Sequence, residues 1–184
     1  MKRRAFFWIG LCAGVWLLAG CCAPRATEVT TPIQRLANGM EARLKIASDV
    51  AWSKANSGAP VLDVERERVL LATLVKQGEE AGLPKARVER FFSAQIAASR
   101  EVQTELLAAW AAGTKARPVT PPLDLRTQIR PRLDALSAEL IAALAGIPED
   151  GAPLDRVVME RRLRQRGFSE AVSRLAAEGL WRAE

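Results

Sequence analysis

The chain has 184 residues, about half of them hydrophobic, and its 27 Lys and Arg against 21 Asp and Glu give a formal net charge of +6. This length is typical of one domain with a sizeable core. The sequence holds no His, and its three Cys lie within the first 22 residues. Ser–His and Cys–His nucleophiles are therefore excluded, a zinc, haem or iron–sulfur site is disfavoured, and we predict no metal and no cofactor.

The N-terminal segment 1–20 predicts an export signal. Lys2, Arg3 and Arg4 form a basic start, and an apolar stretch follows, which is typical of a signal peptide and too short for a membrane span. The sequence Leu-Ala-Gly-Cys ending at Cys21 resembles the lipobox of bacterial lipoproteins, in which the cysteine is acylated after cleavage. The alternative is an ordinary signal peptide cut slightly later. We expect an exported, periplasmic protein, with Cys21 as the candidate lipidation site and membrane attachment.

Removal of the signal lowers the formal net charge to +3, because that segment holds three cations and no acid. The remaining basic residues are scattered among acids and form no basic stripe with interleaved aromatics, so we predict no nucleic-acid partner. All the cysteines lie in or beside the signal. The exported domain therefore has no internal disulfide and depends on its hydrophobic core.

The composition favours an all-α fold, because Ala and Leu dominate and strand-like runs are nearly missing. We predict six helices in a single domain, 31–184, after a short linker, 21–30. Three long helices form a pocket-forming half over 31–112. A proline-rich linker, 113–122, leads to a second half, 123–184, that packs on the first.

Caps and helix breakers set the predicted boundaries. Thr31 followed by Pro32 is a favoured start for the first helix, and Pro131 requires a late start or a kink in the fourth. Its predicted buried face carries Leu133, Leu136, Leu140 and Leu144. The predicted helices cover residues 31–56, 63–82, 84–112, 124–145, 154–166 and 169–181.

Two cations interrupt the apolar stripe of the first helix. In steps of three and four, the stripe runs through Ile33, Leu36, Met40, Arg43, Ala47, Val50 and Lys54. A buried cation is costly unless something anionic compensates it. Either internal carboxylates pair with Arg43 and Lys54, or the site receives an anionic ligand. The two residues share a helix face, about 16 Å apart along the axis.

Polar residues also interrupt the stripes of the next two helices. Ser99 and Gln103 lie one turn apart in the third helix, and Asp63 and Glu67 flank Arg66 at the start of the second. Each has a simple alternative explanation, such as a core serine bonded to a nearby carbonyl, acids at a helix start, or a cation that extends to a helix edge. Together, with cations in excess, they favour a pocket for a small dianion.

The same residues carry a resemblance to a known family. The ordered set resembles the all-α chorismate mutases, specifically their exported (gamma) subclass, over the first three helices, and the second half matches only loosely. The resemblance implies chorismate, a dicarboxylate, as substrate and its one-step [3,3] rearrangement to prephenate, a step of aromatic amino acid biosynthesis. The matching elements are Arg43-Leu44, Lys54, Asp63-Val64-Glu65-Arg66-Glu67, Phe92, Gln95-Ile96, Ser99 and Gln103.

The resemblance implies that three residues are catalytic. Arg43 would bind one substrate carboxylate. Lys54 would contact a carboxylate and the ether oxygen, on which negative charge develops as the bond breaks. Gln103 would donate a hydrogen bond to that oxygen from the other side.

Four further residues would bind the substrate. Arg66 and Ser99 would support carboxylate binding. Asp63 and Glu67 would orient the ring hydroxyl, and Asp63 has the further option of acting through its backbone amide.

In the exported subclass, an arginine from the second half of the same chain completes the pocket, a position that a partner subunit fills in intracellular members. Arg130 is the candidate here, and Arg126 and Arg132 are rivals because Pro131 leaves the register open. Exported relatives can carry a disulfide in the second half, which this chain lacks the cysteines to form. The sequence leaves a homodimer open.

A second interpretation is a non-catalytic helical envelope lipoprotein, or binding module, anchored through Cys21. The polar residues on the stripes would then be contacts that fix the register between helices.

Overall fold

The computed structural model describes residues 30–148 and 156–180; the predicted signal and Cys21 lie outside these ranges. Within them the chain forms six α-helices, a short π-helical turn and no strand, so the all-α, six-helix prediction is confirmed. None of these helices is long and apolar enough to cross a membrane. The elements are α1 (Pro32–Ser57), α2 (Val64–Glu80), α3 (Lys85–Ala111), the π-helical turn (Leu125–Ile129), α4 (Arg130–Ala145), α5 (Arg156–Gln165) and α6 (Glu170–Glu178).

The start of α1 is fixed by its caps. Thr31 Oγ1 accepts a hydrogen bond from the Gln34 amide at 3.2 Å, and the Gln34 side chain accepts from the Thr31 amide at 2.8 Å, which completes a capping box. Pro32 occupies the first turn, where its missing N–H costs nothing. The helix ends at Gly58, whose φ of 71° suits glycine.

The main core is formed by residues of all six α-helices. Close approach of α1 and α4 depends on Gly39, since a Cβ there would lie 2.8 Å from a methyl of Leu140. The stripe predicted for α1 is buried except at its two ends: Lys54 is half-buried, and Ile33 is 48% exposed, so the assignment of Ile33 to the core was wrong, because it lies in the first turn at the edge of the bundle. The largest buried side chains of this core include Leu36, Met40, Leu44, Phe91, Phe92, Leu140 and Leu163.

The second half attaches to α1 through a smaller apolar cluster. Ile46 and Val50 of α1 contact Ile129 of the π-helical turn, and Leu133 and Leu136 of α4 cover them. Leu133 and Leu136 are therefore half-buried, whereas Leu140 and Leu144, the other two leucines predicted for the buried face of the fourth helix, are fully buried.

The π-helical turn explains how the chain accommodates Pro131. A continuous α-helix from 124 would set the proline ring against a carbonyl of the preceding turn. Asp124 instead caps a wider turn, accepting hydrogen bonds from the Arg126 and Thr127 amides at 2.9 and 2.6 Å. The regular helix then begins at Arg130, six residues after 124, so the fourth helix has the late start that Pro131 was expected to require.

The last two helices agree with the predicted order. Ser169 caps α6, accepting a hydrogen bond from the Val172 amide at 3.2 Å. The predicted start of the fifth helix at 154 and the predicted end of the sixth at 181 lie outside the described residues.

Candidate active site

One cavity is lined by every substrate-binding residue that the sequence singled out. It has a volume of about 200 Å³ and lies where α1, α2 and α3 face the π-helical turn and the start of α4. Its apolar wall includes Val50, Val61, Leu70, Ile96, Leu125 and Leu133. Its polar lining comprises Arg43, Lys54, Asp63, Arg66, Glu67, Ser99, Gln103, Arg130 and, in addition, Arg100.

Arg43 is the most deeply buried cation of the cavity, with 4% of its surface exposed. Its Nη1 donates to Ser137 Oγ at 2.9 Å, and that hydroxyl donates in turn to the Leu133 carbonyl at 2.7 Å. Burial lowers the pKa of Arg43 to about 10, and the charge of Asp134 opposes this change. The guanidinium is therefore cationic at neutral pH, although no carboxylate hydrogen-bonds to it within the described chain.

Lys54 is half-buried and faces the same cavity. Its Nζ donates to the Val61 carbonyl at 2.7 Å, in the connection between α1 and α2. Burial lowers the pKa of Lys54, while the nearby carboxylates of Glu67 and Asp63 act in the opposite direction. A lysine ammonium has three donor hydrogens, so two remain for a ligand.

Ser99 and Gln103 form a pair on the wall contributed by α3. Gln103 is buried, and its Nε2 donates to the Ser99 carbonyl at 3.0 Å, with Ser99 Oγ at 3.4 Å. A primary amide nitrogen carries two hydrogens, so a ligand can take the hydrogen that is not bonded to the Ser99 carbonyl by displacing the long 3.4 Å contact to Ser99 Oγ. Gln103 Oε1 is buried without a hydrogen-bond partner among the described residues.

The acids of the cavity stand at the start of α2. Asp63 is the N-cap, and its Oδ1 accepts from the Arg66 amide at 3.1 Å. Glu67 pairs with Arg100 across the gap to α3, at 3.3 Å between Oε2 and Nη1. Partial burial and the charge of Arg130 lower the pKa of Arg66.

Of the three arginines considered in the second half, Arg130 is the one that lines the cavity. It is half-buried, and its Nε has no hydrogen-bond partner in the described ranges. Arg132 instead pairs with Asp49 at 3.1 Å on the protein surface, and Arg126 is exposed on the π-helical turn. The π-helical turn before α4 therefore determines that Arg130, and neither Arg126 nor Arg132, lines the cavity, a choice that the sequence alone did not decide.

Sequence reasoning missed two residues of the site: Arg100, which lines the cavity, and Ser137, which hydrogen-bonds to Arg43. Arg100 directly follows Ser99 but lies off the apolar stripe, which made it resemble an ordinary surface cation. Ser137 contacts Arg43 across 94 residues of sequence, a pairing that depends on how α4 packs against α1. The only local signal was the position of Ser137 beside the predicted leucine stripe of the fourth helix.

This arrangement suits a small ligand with two negative charges. Cations outnumber acids in a cavity with apolar walls, and water-poor surroundings strengthen the interaction of fixed charges with a bound anion. None of the lining side chains is a Cys or His. The site is built to bind and to stabilise charge.

Comparison with known proteins agrees with this fold and site. The family described as chorismate mutase type II matches residues 34–104, which run from α1 into α3. The secreted chorismate mutase of Mycolicibacterium smegmatis is 30% identical over 129 residues, which are 70% of each chain. The monofunctional chorismate mutase of Enterobacter agglomerans is 29% identical over 110 residues, 60% of this chain and 59% of that protein's length.

Solved structures extend the likeness to the whole fold. The chorismate mutase of Burkholderia thailandensis superposes with a TM-score of 0.70 at 30% identity, covering 81% of this chain and 96% of that one. The secreted chorismate mutase of Yersinia pestis shares the fold, with a TM-score of 0.69 at 23% identity, covering 79% and 94%. Fold and sequence thus define an all-α enzyme built as a single domain. The chain belongs to the chorismate mutase type II family.

Proposed function

We propose that this protein is an exported chorismate mutase that converts chorismate to prephenate in one step. The observation that carries the proposal is the convergence of five cations from four helices, together with Gln103, on one cavity, where only Arg100 of α3 forms an ion pair within the described residues. Arg43 and Lys54 come from α1, Arg66 from α2 and Arg130 from the start of α4. A substrate with two carboxylates fits this excess of positive charge.

Substrate binding falls to the arginines. Arg43 binds one carboxylate, and its orientation is supported by the hydrogen bond to Ser137 at 2.9 Å. Arg130 and Arg66, with Ser99, bind the other. Fixing both carboxylates selects the folded conformer in which the two reacting carbons approach, which removes much of the entropic part of the barrier.

Lys54 and Gln103 act on the ether oxygen. In the [3,3] shift the carbon–oxygen bond breaks while a carbon–carbon bond forms, and negative charge accumulates on the departing oxygen. Donors already in place at that oxygen stabilise the transition state more than the ground state, and loss of one such donor typically lowers kcat about 100- to 1,000-fold. No covalent intermediate or proton transfer is needed, which suits a chain without His.

The acids at the start of α2 face the substrate ring. Glu67 accepts a hydrogen bond from the ring hydroxyl, and Asp63 orients the same group through its carboxylate or its backbone amide. The Asp63 carboxylate already caps α2, which favours the backbone amide.

Export is supported by the basic and apolar pattern of residues 1–20 and by the secreted relative from M. smegmatis. In this proposal the catalytic domain, 31–184, follows a linker, 21–30, in the periplasm. Acylation at Cys21 would attach the protein to a membrane, and cleavage at a later site would release it. Mass spectrometry of the mature N-terminus distinguishes the two, because an acylated Cys21 carries the mass of its lipid chains.

The test is the identity of the product. The purified protein without residues 1–20 is incubated with chorismate, and the products are followed by proton NMR. Prephenate as the sole product is expected. No product from folded protein would favour the non-catalytic binding module, and release of pyruvate would indicate an elimination that this cavity is not proposed to perform.

A further inference from the structure

Arg100 lines the cavity and forms an ion pair there. None of the substrate-binding or catalytic roles proposed for the other residues involves Arg100. Its Nη1 lies 3.3 Å from Glu67 Oε2, and the two side chains are 37% and 25% exposed. Both residues line the cavity, Arg100 from α3 and Glu67 from the start of α2. The pair therefore joins the two helices at the edge of the site.

Glu67 also faces a second cation, Lys54. Among the charges near Lys54, Glu67 contributes most to keeping the ammonium protonated. Yet Lys54 forms no ion pair with Glu67 within the part of the chain that the structure describes, and its Nζ donates to the Val61 carbonyl at 2.7 Å instead. Glu67 thus lines the cavity together with two cations and pairs with one of them, Arg100.

We propose that Arg100 is a positioning residue that holds Glu67 on the α3 side of the cavity and so keeps the Lys54 ammonium available for substrate. This inference rests on the proposed function. Without Arg100, the Glu67 carboxylate is free to pair with Lys54, a cation that lines the same cavity and already interacts with its charge. Charge-assisted hydrogen bonds of that kind are strong in partly buried sites, so Glu67 would compete with the substrate for the Lys54 donors.

The test is a double-mutant cycle. Arg100→Gln alone is expected to lower kcat about tenfold, a loss typical of coupled neighbours, with a change in KM of less than about twofold. In a Glu67→Gln background the carboxylate is gone, so Arg100→Gln should cost less than about twofold more. Arg100→Lys, which keeps the charge, should restore most of the lost kcat.

A matched control separates the cavity pair from surface charge. Arg68 also lies on α2, but it pairs with Glu65 at 2.6 Å on the exposed face and does not line the cavity. Arg68→Gln should leave kcat and KM unchanged. Helicity and Tm are measured for every variant, and Arg100→Met, which keeps the aliphatic stem, replaces the Gln variant if that one is unstable.

Three results would overturn the proposal. Normal kcat in folded Arg100→Gln would show that the pair has no role in turnover. An equal loss in the Glu67→Gln background would show that Arg100 acts directly on the substrate. A wild-type protein without turnover would overturn both this inference and the proposed function, whereas the first two results would leave the function intact.

Discussion

Arg43 on α1 donates a hydrogen bond to Ser137 on α4 at 2.9 Å, and this contact links the two halves of the domain at the buried end of the cavity. The cation expected to hold a substrate carboxylate is therefore oriented by a residue 94 positions away. The second half completes the site in two ways, by contributing Arg130 and by fixing Arg43.

Ser137→Ala tests this link. Loss of the hydroxyl leaves a buried guanidinium with one acceptor fewer, so we expect a lower free energy of unfolding by about 1–3 kcal/mol. We also expect KM for chorismate to rise several-fold, because Arg43 is no longer held in place. Ser93→Ala, at an exposed position of α3, is the control. Unchanged KM and Tm in Ser137→Ala would show that Arg43 needs no support from α4.

Arg130→Met tests which arginine of the second half binds substrate. We expect kcat/KM to fall at least about 100-fold, since a charged hydrogen bond to a buried carboxylate is lost. Arg132→Met and Arg126→Met are matched controls, because neither residue lines the cavity. Arg132→Met breaks an exposed pair with Asp49, which is worth about 1 kcal/mol or less. A larger loss of activity in either control than in Arg130→Met would overturn the assignment.

The double variant Arg43→Met with Lys54→Met tests whether these cations serve function at the expense of stability. Burial lowers the pKa of both groups, which means that the fold disfavours their charged forms. We expect turnover to disappear while Tm stays equal or rises, as seen when buried charges are replaced by apolar groups. A marked fall in Tm would indicate that the cations are internal structural contacts.

The sequence correctly predicted the features that depend only on neighbouring residues within one helix. The Thr31 cap, the stripe on α1 and the spacing of Lys54 from Arg43 follow from helical periodicity, and they place these side chains on one face. The contact with Ser137 and the position of Arg130 could not be derived in this way. The first depends on packing between distant helices, and the second on a π-helical turn that the sequence signalled only as a problem at Pro131.

The alkaline limb of kcat/KM reports on whichever of Lys54 and Arg43 loses its proton first in the free enzyme, because burial lowers the pKa of both groups and that of Arg43 to about 10. The pKa of Lys54 is lowered from the ordinary value of 10.5 by burial, and only the ammonium form carries the positive charge that stabilises the negative charge on the ether oxygen. Activity is therefore lost as pH rises through the lowered pKa, so the alkaline limb should lie below pH 10.5. Between the lowered pKa of Lys54 in the folded protein and its ordinary pKa in the unfolded chain, the unfolded state binds more protons than the folded state. The free energy of unfolding therefore rises with pH across that interval. An alkaline limb above the ordinary lysine value would contradict this account.

The most direct measurement is the initial rate of chorismate disappearance, followed by absorbance, for the wild-type protein beside Lys54→Ala and Gln103→Ala. We predict rapid turnover by the wild type and losses of at least about 100-fold in both variants, with helicity unchanged. The exposed Lys76 of α2, whose ammonium lies 4.0 Å from Glu80, supplies the control variant Lys76→Ala, which should keep full activity. Near-normal rates in either cavity variant would contradict the site assignment, and a folded wild-type protein without turnover would contradict the proposed function.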